Sequence, residues 1–235
     1  MWYTVFILHE EVTPTAFTDD VKLITYSPRV DRWNTATHAP GALAALAGMV
    51  LLLKKTLPGG SKTAVFCAVV YSLAFFCVYF TSAVYHALPP GEAKRRARFF
   101  DHLAIPLLLA GTTTPCALIS LGRVSRTHGY IVFGIAWFCA LFGVVGKTLF
   151  FEKMKSAVMA VYIIGGAVML LSTLPVAKSF EPTAFMLLFI GSGAYILGAL
   201  VCRMGIKRPC LHPVFHLIVL AGSLIHFYVI YAYIL

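Results

Sequence analysis

Charge is missing from this chain in blocks. Counting Asp, Glu, Lys and Arg, uncharged runs occupy residues 33–53, 63–91, 102–122, 127–146, 156–177, 182–202 and 209–235, each 20 to 29 residues long. About 20 apolar residues at ~1.5 Å rise span a hydrocarbon core of ~30 Å, so each run has the length of one membrane crossing. Strands of a membrane barrel would alternate polar and apolar residues over ~10 positions, and these runs do not. Within lipid the backbone must satisfy its own hydrogen bonds, which leaves helices. The expectation is an all-α, integral membrane bundle of seven transmembrane helices.

Composition agrees. Charged residues make up 12% of the 235 and hydrophobic residues 60%, whereas a soluble domain carries about 25% charged residues. The mean hydropathy is +0.85. A soluble globule and a disordered chain are both excluded. The net charge of +10 does not point to nucleic acid, because in a membrane protein basic residues report orientation and contact with anionic headgroups. The length suits one polytopic domain, residues 33–235, preceded by a short polar N-terminal tail, residues 1–32. The apolar stretch Trp2–Leu8 lacks a basic leader and is too short for a signal peptide.

With seven crossings, 13 Lys and Arg fall on the side of the N-terminal tail and 6 on the other. The six are Lys54, Lys55, Lys62, Arg123, Arg126 and Lys178. The positive-inside rule places the N-terminus in the cytosol, in a plasma membrane or an endomembrane, and the C-terminus outside or in a lumen. The six cysteines lie within or beside the apolar runs without a CxxC pair, which reads as small residues packing between helices.

Ionisable groups inside spans are expensive and ask for a reason. By the parity of the crossings, the end of helix 2 (Ser82, His86), the start of helix 3 (Asp101, His102) and the start of helix 7 (His212, His216) reach the same membrane face. His212 and His216 are four apart, so on a helix both imidazoles lie to one side about 6 Å apart. That spacing lets two histidines share a zinc ion, although Pro-Val-Phe between them supplies no carboxylate base. His86 could add a third nitrogen; three histidines with a position left for water describe a catalytic zinc site rather than a closed structural one. Asp101 could hold the water or act as base, and Ser82, one turn before His86, could orient either.

Taken singly, each residue has a plainer reading. An HxxxH pair arises by chance, a histidine at a helix end sits at the interface, Asp101 could pair with Arg98 or cap its helix, and Ser82 could be packing glue. It is their joint depth that favours a metal. His38 opens helix 1 on the site's side, where a role beside the site is open but not the favoured reading; His226 reads as a packing or far-interface residue, His102 as a packing or headgroup contact, and His9 and His128 as loop residues.

These residues resemble a known family. Ser82-x-x-x-His86, Asp101-His102 and His212-x-x-x-His216 look like the three motifs of the hemolysin III and progestin/adipoQ receptor (PAQR) family, within a wider group of membrane hydrolases that includes alkaline ceramidases. Echoes of the hemolysin III branch include Thr37-His38, Gly41-Ala42, Asp101-His102-Leu103-Ala104-Ile105, Ala110-Gly111-Thr112, Thr114-Pro115, Gly146-Lys147 and Ala221–Phe227. The resemblance covers roughly residues 33–235. It implies a seven-helix bundle holding zinc near the cytosolic face, with His86, His212 and His216 as ligands and Asp101 and Ser82 positioning the water. Two positions depart from the pattern: Thr113 replaces a frequent aromatic, and Pro213 stands where a carboxylate or amide is common. Pro213 in a first helical turn costs little, since its missing N–H would be unpaired there. The large N-terminal domain of the animal adiponectin receptors has no counterpart in the residues before helix 1.

Three functions are open at this level. The first is a zinc-dependent hydrolase of a lipid amide or ester, with membrane lipids and a lipid-like substrate as partners and no nucleic acid. The second is a receptor or stress sensor with a structural zinc. The third, a hemolysin-type pore, is disfavoured because polar residues gather at one end of the spans. The sequence does not specify an oligomeric state.

Overall fold

The computed structural model describes residues 21–24, 26–171, 174 and 181–235. The Trp2–Leu8 stretch, His9 and Lys178 lie outside them. No strand occurs among the described residues, which form seven long helices. They are α1 (Pro28–Thr56), α2 (Lys62–Ala87), α3 (Glu92–Pro115), α4 (Arg126–Leu149), α5 (Lys155–Leu171), α6 (Pro182–Gly205) and α7 (Leu211–Val229). Six are long and apolar enough to cross a membrane. The other, α5, has 17 described residues, about 25 Å of rise and the short end of what a bilayer accepts.

Each helix packs against the next in sequence, and α7 returns to α1, so the seven close into a ring. Short polar links set the turns. Ser27, Ser61 and Ser125 accept hydrogen bonds from the backbone N–H groups of Val30, Ala64 and His128, and the Glu181 carboxylate accepts from Ala184. Each cap satisfies a donor that the first turn would leave orphaned. The main core runs between α1, α2, α3, α6 and α7 through Ala45, Leu52, Tyr71, Phe75, Tyr79, Ala104, Leu188 and Val229.

α3 does not end at Pro115. It continues through a π-helical segment, Cys116–Leu121, and a last turn, Gly122–Val124. Proline cannot donate to the i−4 carbonyl and its ring crowds that carbonyl, and the following ladder shifts by one residue: the Gly122 N–H reaches the Ala117 carbonyl. Two turns earlier, Gly111 lets α3 press on α2, where a Cβ would come within 2.5 Å of the Ala74 Cβ.

The boundary of the tail differs from expectation. α1 starts at Pro28, so residues 28–32 are its first turn and not part of a polar tail. Charges at 29, 31 and 32 end an uncharged run without ending a helix, because a first turn can sit in the headgroup layer. Just before it, Val21 is 2% exposed and packs with Phe99 and Phe151.

Candidate metal centre

The ends of α2 and α7 bring three imidazoles together. His86 lies in the last turn of α2, while His212 and His216 occupy successive turns at the start of α7. One nitrogen from each lies within 4.8 Å of the other two. Ring centroids are 5.3 Å apart for His86 and His212, 5.2 Å for His86 and His216, and 4.6 Å for His212 and His216. These three could hold a metal ion.

In two of the three, His86 and His216, one ring nitrogen is tied down by α1. His86 Nδ1 lies 2.8 Å from Asp31 Oδ1. A carboxylate only accepts, so Nδ1 carries the proton and Nε2 holds a lone pair; the Asn34 amide group, 3.2 Å from the same Nδ1, must then turn its oxygen and not its NH2 to the ring, which also gives a partner to an Oδ1 that otherwise has none. That Nε2 is buried and makes no hydrogen bond. His216 Nδ1 lies 3.1 Å from the Thr37 hydroxyl oxygen and 3.2 Å from the Asn34 carbonyl. The Thr37 hydroxyl itself donates to the carbonyls of Trp33 and Asn34, both at 2.9 Å, so it receives the His216 proton. Nε2 of His216 is therefore also the free acceptor. Locking one ring nitrogen by hydrogen bond so that the other can ligate is how proteins orient metal-binding histidines.

The donor set fits zinc. Three neutral imidazoles suit it, and at ~2.0–2.1 Å per bond a tetrahedral ion would draw the nitrogens in to about 3.4 Å of one another. An orphaned, buried Nε2 costs free energy unless something accepts its lone pair.

Around the trio sits a shell of aromatic and charged groups. His38 stacks on His216 at 3.6 Å between centroids and meets Tyr79 edge-on at 4.9 Å. Tyr26, in the segment before α1, lies 5.1 Å from His212 and 5.6 Å from His86. Burial raises the Tyr26 phenol well above its ordinary pKa of 10, leaving it a neutral donor near neutral pH. Asp31 also binds the Lys94 ammonium at 2.8 Å, which donates in turn to the Leu88 carbonyl at 3.0 Å.

Ser82 is buried one turn before His86, and the Asp101 carboxylate on α3 lies close enough to its hydroxyl to interact with it. Asp101 is half-buried. The alternative partner considered for it, Arg98, pairs instead with Glu152 at 3.5 Å. His102 turns away towards Lys147 and Phe151. His226 is buried deeper in the bundle, donating to the Gly222 carbonyl at 2.9 Å and stacking on Tyr195. His128 lies in the first turn of α4.

Reading the sequence by charge-free runs assigned Asp31 to a tail and gave no site role to Asn34 and Thr37, uncharged residues within the first run. A signal was present: Asp31, Asn34 and His38 fall at i, i+3 and i+7, one face of a helix.

An all-helical membrane bundle with a trio of metal-competent histidines at one end, two buried and one half-buried, defines the class of protein. The family model described as haemolysin-III related matches residues 27–227, and the chain belongs to that family. Hemolysin-3 of Bacillus cereus is 30% identical over 202 residues, covering 86% of this chain and 90% of that protein. The Hemolysin-3 homolog of Bacillus subtilis (strain 168) is 29% identical over 200 residues, 85% and 92% of the two chains.

Proposed function

We propose that this protein is a zinc-dependent membrane hydrolase that cleaves an amide or ester bond of a lipid. The observation that supports the reading best is the pair of locked tautomers. Asp31 holds the Nδ1 proton of His86, and Thr37 with Asn34 holds that of His216, so both Nε2 lone pairs are free where His212 also points a nitrogen. His86, His212 and His216 would hold the ion. Zinc in a three-histidine site supplies Lewis acidity, which generates a nucleophile from water near neutral pH and polarises a carbonyl.

The chain's own groups would do the rest. Asp101 takes the proton from the attacking water and returns it to the leaving nitrogen or oxygen. Ser82 fixes the orientation of that carboxylate through its hydroxyl. Asp31 keeps His86 aimed and offsets the Lys94 charge, while Tyr26 covers the imidazoles from the N-terminal side. The scissile bond of a lipid lies just beneath its headgroup, the depth at which α2 ends and α7 begins. In the proposed orientation this is the cytosolic face.

The test is release of fatty acid from a panel of ceramides, acylglycerols and phospholipids by purified protein. Turnover is expected for the zinc-loaded protein, with loss in His212→Ala and in Asp101→Asn and recovery on returning zinc to chelated wild type. Turnover that survives His212→Ala would overturn the proposal. A receptor with a structural zinc predicts something else: Asp101→Asn keeps metal, fold and biological output intact.

A further inference from the structure

His38 carries two hydrogen-bonding atoms that the fold leaves without a partner. It lies inside α1 and is 5% exposed, and neither Nδ1 nor Nε2 makes a hydrogen bond. No other buried side chain among the described residues has two such atoms. A buried polar group without a partner costs stability and asks for an explanation.

Another buried histidine shows what packing alone requires. His226 donates its Nδ1 proton to the carbonyl four residues back, that of Gly222, at 2.9 Å, and stacks on Tyr195. The equivalent acceptor for His38 is the Asn34 carbonyl, and it is already taken. The Thr37 hydroxyl and His216 Nδ1 both donate to it, at 2.9 and 3.2 Å. The bonds that fix His216 thus deprive His38 of its local acceptor.

The ring is nevertheless held in place at the site. It lies flat on His216, with 3.6 Å between centroids and 21° between planes, and meets Tyr79 edge-on at 4.9 Å. Tyr79 is fixed in turn by the Ser223 hydroxyl at 2.7 Å, and Gly41 leaves room for its ring, which a Cβ there would overlap. His38 is not one of the three histidines whose nitrogens gather within 4.8 Å; it lies one ring layer away from them. A neutral imidazole offers one N–H donor and one acceptor to a group lying against that trio. An acyl carbonyl needs the donor, because its oxygen gains negative charge as the carbon is attacked.

We propose that His38 contacts the substrate, its N–H donating to the carbonyl oxygen of the acyl group that lies against the three histidines. This rests on the hydrolase reading.

The zinc-loaded full chain in detergent micelles tests it, with dodecanohydroxamic acid as a probe that joins a long acyl chain to a zinc-binding head. His38→Phe keeps an aromatic ring on His216 and removes the N–H. His38→Asn and His38→Gln put an amide N–H near the positions of Nδ1 and Nε2. In His38→Phe, zinc content and Tm should hold, because an apolar ring replaces two unpaired polar atoms. The Kd for the hydroxamate should rise about tenfold, and kcat on lipid should fall about 100-fold with KM little changed. One of the two amides should recover most of the lost affinity. If phenylalanine is too large to fold there, His38→Leu, no larger than imidazole, should give the same losses. Zinc lost from His38→Phe, unchanged Kd and kcat, or no recovery by either amide would overturn the proposal. Wild type that binds the hydroxamate through His38 but releases no fatty acid from any lipid would sink the hydrolase and leave this contact standing. Hydrolysis that is indifferent to His38→Phe would do the reverse.

Discussion

Two of the three clustered imidazoles have one nitrogen engaged and one left over, and the engaged one differs in kind. His86 gives its Nδ1 proton to a carboxylate, His216 to a hydroxyl and a main-chain carbonyl. The carboxylate makes His86 the more basic ligand, and its loss should be felt at the metal. Asp31→Asn is expected to weaken zinc affinity about 10–100-fold, measured by competition with a chromogenic chelator. The same change strands Lys94, which is 2% exposed, so it should also lower stability. Asp31→Asn combined with Lys94→Gln should recover the fold without recovering the affinity, because a buried ammonium without its partner is the costly species. Thr37→Ala is expected to be milder, since the Asn34 carbonyl still accepts from His216; it should cost about 1 kcal/mol in unfolding free energy, read by chemical denaturation in micelles.

At the scale of helices, close approach and interruption shape the site. At Gly111, α3 presses on Ala74 of α2, where a Cβ would have no room. Gly111→Val would force the helices apart and is expected to cost about 1–3 kcal/mol. The measurement is thermal unfolding beside metal content, and Tm should fall while metal content holds, since the histidines proposed as ligands lie on α2 and α7. The charge-free runs located all seven helices but not the ends of all of them. α1 starts earlier because Asp31 serves inside the bundle, and α3 passes its proline by adopting a π-helical segment. Such ends depend on partners from other helices, which local composition does not contain.

For the whole molecule, the ring of helices closes between α7 and α1, where His216 of α7 meets its anchors on α1. An ion held there would join α2 to α7 across α1. Ligand that binds only the folded state stabilises it, by about 4 kcal/mol at a free concentration a thousandfold above Kd. Chelation should therefore lower Tm in the wild type by several degrees. His216→Ala, lacking a ligand, should show a lower starting Tm and no further response to the chelator; differential scanning fluorimetry in micelles reads both.

What was determined by sequence alone is the solvent of this protein and the number and approximate positions of its helices. Hydrocarbon thickness and the need to pair every backbone group act on each run separately, so no distant residue has to be known. The parity of crossings also led to the expectation that the ends carrying Ser82, His86, Asp101, His212 and His216 share one face, and the three histidines among them do come together. Tertiary structure decided which nitrogen of each histidine is free and what holds the other. The partners of His86 and His216 lie 55 and 182 positions away, on a helix whose first turn looks, by charge, like a tail. The direction of a hydrogen bond depends on the group that folding brings opposite, and that choice is made only when α1 docks against α2 and α7.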